Sequence, residues 1–301
     1  MHQNDEVLYL VRQCRRAKTI QILTGHNLKS FIETMELVRN RPRGDVKLCH
    51  IAPVKGENST GLFHCRNLFY GGTYQNRRFG KKYISGGLSI LNKHLLSKWD
   101  VDDDTSTNHI LLKIEEFLGN IVQDYLEVSP VRKSKRYQAI KSIIEIDHSK
   151  DVDDLITLPY QDLIAYRDNL RKKASFKIEY GHESKFLAYM DGLTRFIAYG
   201  GERKSMLRKL RKLLVISYMA LERAKVSNTY NKYFYVHYEP LMNKKYAYAK
   251  LINEETWSSF KDLTYNVVFS VLQGASPNIN QFRKQMMSYL EFPEKPYERK
   301  A

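Results

Sequence analysis

Residues 45–82 read DVKLCHIAPVKGENSTGLFHCRNLFYGGTYQNRRFGKK, and this stretch indicates how the chain is organised. A short apolar segment ends at His50, and a polar loop rich in Lys, Gly, Asn, Ser and Thr follows a few residues later. Asn67 opens a second apolar segment, and Asn76 begins an Asn-Arg-Arg sequence shortly after the Gly-Gly pair that ends that segment. Apolar segments bounded by Gly, Pro and Asn predict strands, so two strands and then a helix are expected here.

This order of strand, loop, strand and helix resembles the ββα-metal motif of the HNH endonuclease family. The resemblance is limited to residues 45–82 of a chain of 301 residues. It implies that His50 is the general base, that Asn67 holds its imidazole by a hydrogen bond to the far ring nitrogen, and that Asn76 binds a divalent metal ion. It therefore implies an enzyme that cuts nucleic acid.

The chemistry of phosphodiester hydrolysis explains this grouping of residues. A base must deprotonate water, and a metal ion must neutralise the charge that develops at the phosphate. Histidine has an unperturbed pKa of about 6.5 and can accept a proton near neutral pH, whereas magnesium prefers oxygen ligands such as an amide carbonyl. The residues expected to hold phosphate oxygens are Arg77 and Arg78, by bidentate pairing, and then Lys81 and Lys82.

The residue before the histidine departs from the family pattern. That position commonly carries an acidic or histidine metal ligand, and here it is Cys49. A thiolate suits zinc better than magnesium. Three outcomes stay open: Asp45 or a water completes a magnesium shell, the metal is zinc, or the site has lost its activity. Cys49 is therefore counted with Asn76 as a candidate metal ligand.

A structural zinc site is an alternative for the same residues, because Cys49-His50 and His64-Cys65 form two mirrored pairs. Adjacent residues of a strand point to opposite faces, so each pair would give one ligand to a shared ion. The usual spacing of two to four residues between paired zinc ligands is absent. A simpler interpretation is that both cysteines are small buried core residues.

Composition favours a polyanionic partner. The chain has 49 Lys and Arg against 33 Asp and Glu, a net charge of +16. Such an excess is typical of proteins that neutralise phosphates and release their condensed counterions. No apolar run is long enough to span a bilayer, the N-terminal residues are acidic where a signal peptide is basic, and three cysteines suggest a reducing compartment. We expect a cytoplasmic protein with no membrane association.

Hydrophobic periodicity predicts a mostly α-helical α+β protein with a small ββα nuclease-like unit at residues 44–87. The N-terminal helices and this unit are expected to form one domain, residues 1–99. Apolar residues recur at helical spacing almost throughout the remainder, so residues 100–301 are expected to form a helical domain for nucleic-acid or partner binding. Its last part, residues 291–301, holds two prolines and many charges and is predicted to be a flexible tail.

Residues 202–225 are the most amphipathic segment. The apolar face comprises Met206, Leu210, Leu213, Leu214 and Tyr218, and the opposite face carries Arg208, Lys209, Arg211 and Lys212. One interpretation is a helix that lies along a nucleic-acid backbone, and the other is a solvated face of a basic protein. A membrane-surface helix is less consistent with the sequence, because its apolar face has no Trp or Phe.

The leading prediction is therefore a metal-dependent endonuclease that hydrolyses DNA, with Mg²⁺ as the expected cofactor and Zn²⁺ as an alternative. A second prediction is a non-catalytic nucleic-acid-binding or regulatory protein with a degenerate ββα unit. The substitution at Cys49 and the large basic helical remainder favour this second class. A structural protein with no nucleic-acid role is a third class, and it predicts no salt-sensitive binding.

Overall fold

The computed structural model describes residues 5–41, 45–80, 82–129, 135–156, 158–171, 185–222, 244–246 and 248–294. The described residues are predominantly helical, with small antiparallel sheets, which confirms the predicted class. Lys81 and the end of the expected tail, residues 295–301, lie outside these ranges.

The described helices, in chain order, are α1 (Asp5–Ala17), α2 (Leu28–Arg39), α3 (Thr73–Phe79), α4 (Thr107–Leu118), α5 (Asn120–Val128), α6 (Lys135–Ile144), α7 (Val152–Ile156), α8 (Tyr160–Leu170), α9 (Lys185–Tyr199), α10 (Lys204–Glu222), α11 (Trp257–Leu272) and α12 (Ile279–Met287). The strands are β1 (Val46–His50), β2 (Ser59–Gly61), β3 (Leu68–Gly72), β4 (Ser89–Leu91), β5 (Lys250–Leu251) and β6 (Leu290–Glu291). They pair antiparallel as β1 with β3, β2 with β4, and β5 with β6. Glu291, which the sequence places in the tail, is thus part of a strand.

The chain divides into two compact units, and each is assembled from separated stretches. The first unit comprises Met1–Arg41, Val54–Cys65 and Ser89–Gly181, and the second comprises Pro42–Pro53, Arg66–Leu88 and His182–Ala301. The division therefore differs from the boundary expected between residues 99 and 100. The ββα stretch belongs with the C-terminal helices, because its strands share a core with them.

The first unit is built around α1, α2, α4 and α5. Helix α2 begins at a capping box, in which the Asn27 side chain accepts from the Ser30 backbone and the Ser30 side chain accepts from the Asn27 backbone. Arg39, at the end of α2, donates to the buried Glu6 carboxylate at 2.8 and 3.1 Å and to the Tyr125 hydroxyl at 3.0 Å. This network joins α1, α2 and α5.

A separate small core in the same unit is formed by α6, α7 and α8. Its buried residues include Ile140, Ile143 and Leu163. Pro159 lies between α7 and α8, just before α8 begins, where proline is tolerated because it cannot continue a preceding helix.

The core of the second unit is formed by α9 and α11, which pack against β3, and by α10, which packs against both of these helices. Helix α10 changes character along its length. Its first half is amphipathic, and Leu210 and Leu214 are buried. Its second half, from Leu213 to Met219, is buried on all sides, which is possible because no charged residue lies between Lys212 and Glu222.

Candidate functional site

The candidate site lies at one end of the β1–β3 hairpin. His50 pairs with Leu68 at this end, and Val46 pairs with Gly72 at the other. Helix α3 follows β3 directly, so the Gly-Gly pair is the end of the strand and not a separate turn. A side chain at Gly71 would approach the Phe269 ring to 2.8 Å, which explains why the strand needs glycine there.

Helix α3 runs back toward the His50 end. Gln75, in its first turn, donates to the Asn266 side chain of α11 at 3.3 Å, and Phe79, at its end, packs edge-on against Phe269 with ring centroids 5.7 Å apart. Further along the same face of α11, the Gln273 amide donates to the His50 carbonyl at 3.1 Å. The two helices therefore run in the same direction, from the Gly72 end to the His50 end.

Asn67 fixes the loop that follows His50. Its side chain is fully buried, its Oδ1 accepts from the Ala52 amide at 2.8 Å, and its Nδ2 donates to the Ala52 carbonyl at 3.2 Å. The Ile51 amide also donates to the Asn67 carbonyl at 2.9 Å. These bonds hold the main chain that follows His50. The bond from this amide to the imidazole that the family resemblance implies stays a prediction.

His50 itself is half-buried, and neighbouring helices hold both strands at this end of the hairpin. Gln273 of α11 binds its carbonyl, and Arg195 of α9 donates to the carbonyl of the paired Leu68 at 3.2 Å. Arg195 also donates to Asp191 at 2.9 Å, so its position is fixed. The Nε2 atom of the imidazole is buried.

Cys49 points away from the side of the hairpin that carries the His50 ring, as neighbouring residues of a strand do. It is 2% exposed and lies in the apolar core with Phe69. Burial raises the pKa of its thiol to about 12, which opposes formation of the thiolate that binds metal. This is the environment expected of a small core residue, so we do not count Cys49 among the metal donors of the proposed site.

The remaining predicted residues lie on α3 and just after it. Asn76 is half-buried, and Arg77, Arg78 and Lys82 are exposed. Lys81 is outside the described residues. Because α3 runs toward the His50 end, these side chains stand on the same unit and beside the same hairpin as His50.

Arg66, a basic residue near this end, was not singled out from the sequence. Arg66 is exposed and lies over the Tyr199 ring, 5.6 Å from its centroid. Arg203 donates to the carbonyls of Val271 and Ala275, so the start of α10 adjoins the end of α11. A signal for this basic region is present in the sequence. Between Arg66 and Leu88, within the second unit, there is no Asp or Glu, and the Lys and Arg residues are Arg66, Arg77, Arg78, Lys81 and Lys82.

The basic face predicted on α10 is present in part. Arg208, Lys209 and Lys212 are exposed, whereas Arg211 is half-buried and donates to the Thr194 hydroxyl of α9 at 3.2 Å. Thr194 precedes Arg195, the residue that binds the carbonyl of Leu68 at the start of β3. The basic half of α10 therefore lies on the α9 side of the His50 end.

The other half of the suggested zinc set, His64 and Cys65, belongs to the first unit and is buried. The Nδ1 atom of His64 is 3.6 Å from the Cys65 sulfur, and its ring stacks on His26 with centroids 4.6 Å apart. Burial lowers the pKa of His26 to about 4, and its Nε2 lies 2.9 Å from the Phe63 carbonyl. Within the described ranges, no group of three or more His, Cys, Asp or Glu side chains is arranged to hold a metal ion.

No protein-family model, curated protein or solved structure matches this chain. Among the helices that the structure describes, none is long and apolar enough to cross a membrane.

Proposed function

We propose that this protein is a metal-dependent endonuclease that hydrolyses phosphodiester bonds in DNA. The observation that supports this most strongly is the buried Asn67 side chain, which ties down the backbone just after His50 in a hairpin followed directly by a helix. In a hairpin with a purely structural role, apolar packing would be enough to hold this end of the two strands. An amide that fixes the residues next to a half-buried histidine is instead suited to positioning a base.

In this proposal His50 removes a proton from the attacking water. Gln273 holds the carbonyl of His50 and Asn67 holds the main chain of Ala52, so that the backbone at and just after the histidine keeps one position during proton transfer. The exposed Arg77 and Arg78 hold phosphate oxygens of the nucleic acid, and Lys82 extends this edge.

In this proposal the magnesium ion is bound mainly through the substrate, with Asn76 as its ligand from the protein. Asn76 offers a hard amide oxygen on a half-buried position of α3. Cys49 is in the core, and Asp45 pairs with Lys185 at 2.6 Å near the opposite end of β1. Magnesium in phosphoryl-transfer sites commonly keeps several waters and takes further ligands from the phosphates. When bound, it would neutralise charge developing on the phosphate.

The test compares plasmid DNA cleavage by the wild type with cleavage by His50→Ala, in magnesium or manganese and in chelator. A matched control is His94→Ala, because His94 is exposed and belongs to the other unit. We expect metal-dependent cleavage by the wild type and the control, and a loss of at least about 100-fold in His50→Ala, the usual contribution of a general base. Cleavage that persists unchanged in His50→Ala would remove this histidine from the mechanism.

Asn76→Ala separates metal binding from base chemistry. We expect it to raise the magnesium concentration needed for half-maximal cleavage, with recovery at high magnesium, because the ion loses one protein ligand. His50→Ala should not recover in this way. If Asn76→Ala keeps the wild-type magnesium dependence, Asn76 is not a ligand.

A second candidate is a nucleic-acid-binding protein that does not cut. The burial of Cys49 favours it, because the position that often carries a metal ligand in the HNH family contributes to the core instead. This candidate predicts binding to DNA that weakens steeply with salt, together with no metal-dependent cleavage by the wild type.

A further inference from the structure

Residues 82–88, called here the 82–88 loop, are fastened to the His50 end of the second unit. The Ser85 hydroxyl donates to the Gly274 carbonyl at 3.0 Å. Gly274 has a φ of +103°, and a side chain there would collide with the Ser85 carbonyl. Gly87 lies directly against the Asn67–Ala52 pair, where a Cβ atom would come within 2.8 Å of the Ala52 nitrogen. Two close backbone contacts therefore hold the loop beside the candidate site.

The tip of this loop presents two large apolar side chains to solvent. The Tyr83 hydroxyl donates to the Gly86 carbonyl at 2.9 Å and closes the turn. Tyr83 is nevertheless 50% exposed, and the neighbouring Ile84 is 47% exposed. Single exposed apolar residues are common on protein surfaces, whereas an adjacent pair on a fastened loop suggests a binding surface.

The charge around the loop identifies the partner as a polyanion. Lys82 in the loop and Arg77 and Arg78 on the preceding helix are exposed. From residue 66 to residue 88, the stretch of the second unit that contains this loop, the sequence has no Asp or Glu. Two apolar side chains bury too little area to attach a protein to a bilayer, where a whole amphipathic helix face is normally needed. They are sufficient to enter a groove of duplex DNA between two base pairs.

We propose that Tyr83 and Ile84 insert into a groove of duplex DNA and partly unstack a base step next to the phosphate that faces His50. The proposal rests on the proposed function, since it assumes that DNA occupies this face. Unstacking costs a few kcal/mol per step, which proteins offset by the contacts that the deformed DNA allows. The close contacts at Ser85 and at Gly87 hold the loop in place, so it loses little conformational entropy when it binds DNA.

The experiment uses short DNA duplexes that carry 2-aminopurine, a base analogue whose fluorescence rises when it loses its stacking partners. The full-length protein is added in chelator, so that no cleavage occurs, and saturation is checked by the anisotropy of an end label. The variants are Tyr83→Ala and Ile84→Ala. The matched control is Ile252→Ala, which removes another exposed isoleucine of the same unit, 63% exposed and outside the loop.

We expect the fluorescence to rise severalfold with the wild type and with Ile252→Ala. With Tyr83→Ala and with Ile84→Ala it should stay near that of free DNA at saturation. The dependence of binding on salt should be the same for all of them, because Arg77, Arg78 and Lys82 remain. Each variant should give the same circular dichroism spectrum as the wild type, because the substituted positions are exposed. Identical spectra exclude misfolding.

Three outcomes overturn the proposal. In the first, Tyr83→Ala and Ile84→Ala saturate the duplex with the same fluorescence as the wild type. In the second, the wild type saturates the duplex without any rise in fluorescence; the endonuclease proposal then stands, and the loop does not insert. In the third, the wild type does not bind DNA in a salt-dependent manner, which overturns this proposal and the proposed function together.

Discussion

The side chain of Asn67 forms two hydrogen bonds with the main chain of Ala52, accepting from its nitrogen at 2.8 Å and donating to its oxygen at 3.2 Å. Both residues are almost completely buried. This pair locks the residues that follow His50 to the start of β3. The two bonds fix the loop after β1 in the same way that the hydrogen bonds of a β-ladder fix the strand itself.

Asn67→Ala should therefore destabilise the second unit and reduce cleavage. The change leaves two buried main-chain groups without their partner, and each such group costs about 1–3 kcal/mol. The matched control is Asn280→Ala, an exposed asparagine of the same unit. Urea unfolding can be followed by Trp257 fluorescence in a Trp99→Phe background, because the other Trp lies in the first unit. Equal unfolding midpoints for the two alanine variants would contradict the role given to Asn67.

Gly87 and Gly86 provide a second test of the same region, because only one of them is in close contact. Both have a left-handed φ, +72° and +78°. A Cβ atom at Gly87 would collide with the Asn67 side chain, whereas at Gly86 nothing lies within 4 Å. Gly86→Ala should cost about 1–2 kcal/mol from its backbone conformation. Gly87→Ala should cost more than this and should also lower cleavage. If the two variants unfold at the same urea concentration, Gly87 does not need to be glycine for its contact with Asn67.

The first unit should lose stability as the pH falls from about 6.5 to about 4. Burial lowers the pKa of His26 to about 4, and the nearby His64 acts in the same direction, against a hydrogen bond to the Phe63 carbonyl. The unfolded chain has an ordinary histidine pKa near 6.5, so it takes up a proton in this range that the folded state does not. The free energy of unfolding is therefore highest above pH 6.5 and decreases as the pH falls toward 4. Because His26 is partly exposed, we expect the free energy of unfolding to fall by roughly 2 kcal/mol, less than the full change in the pKa of His26 would give.

Trp99 fluorescence in a Trp257→Phe background reports this unit, and urea midpoints are compared at neutral and at acidic pH. His26→Gln should weaken the pH dependence, because the group that titrates differently in the two states is gone. His109→Gln, at an exposed position of the same unit, should leave the dependence unchanged. A pH dependence of the same size in His26→Gln would show that another group carries it.

Much of the local structure could be predicted from the sequence, because local spacing determines it. The apolar spacing of Leu28, Phe31 and Met35 predicts α2, and the structure has this helix from Leu28 to Arg39. Of the apolar stripe predicted within residues 202–225, Leu210, Leu213, Leu214 and Tyr218 are buried and Met206 is half-buried. The same spacing is misleading at Gly119, where a continuous repeat suggests one helix. A glycine with a φ of +56° ends α4 there, and α5 begins at the next residue.

The partners in the candidate site could not be predicted, because they come from distant parts of the chain. Gln273 contacts His50 across 223 residues, and Arg195 contacts Leu68 across 127. The two units are likewise assembled from separated stretches of the chain, so no local hydrophobic period and no linker composition marks their boundaries in the sequence. Cys49 illustrates the limit, since the sequence allows both a metal ligand and a core residue. Its neighbours in the core, and not its position in the motif, decide between these roles.

The exposed basic residues of α10 distinguish binding from cutting. Replacing Arg208, Lys209 and Lys212 by Gln should weaken DNA binding for all sequences. It should reduce the slope of log K against log salt by about 0.9 for each phosphate of duplex DNA that the variant no longer neutralises. Arg211 is left unchanged, because its bond to Thr194 supports the packing of α10 on α9. The fold should survive, since the three side chains are exposed.

The matched control for this triple variant removes the same charge at other exposed helical positions, Lys29, Arg283 and Lys284. We expect its salt slope to stay close to that of the wild type, because a change in net charge alone does not remove specific phosphate contacts. His50→Ala should behave in the opposite way to the triple variant, with an unchanged slope and no cleavage. If the triple variant and its control show the same slope as the wild type, the α10 face is solvated, and the phosphate contacts must come from Arg77, Arg78 and Lys82 beside the candidate site.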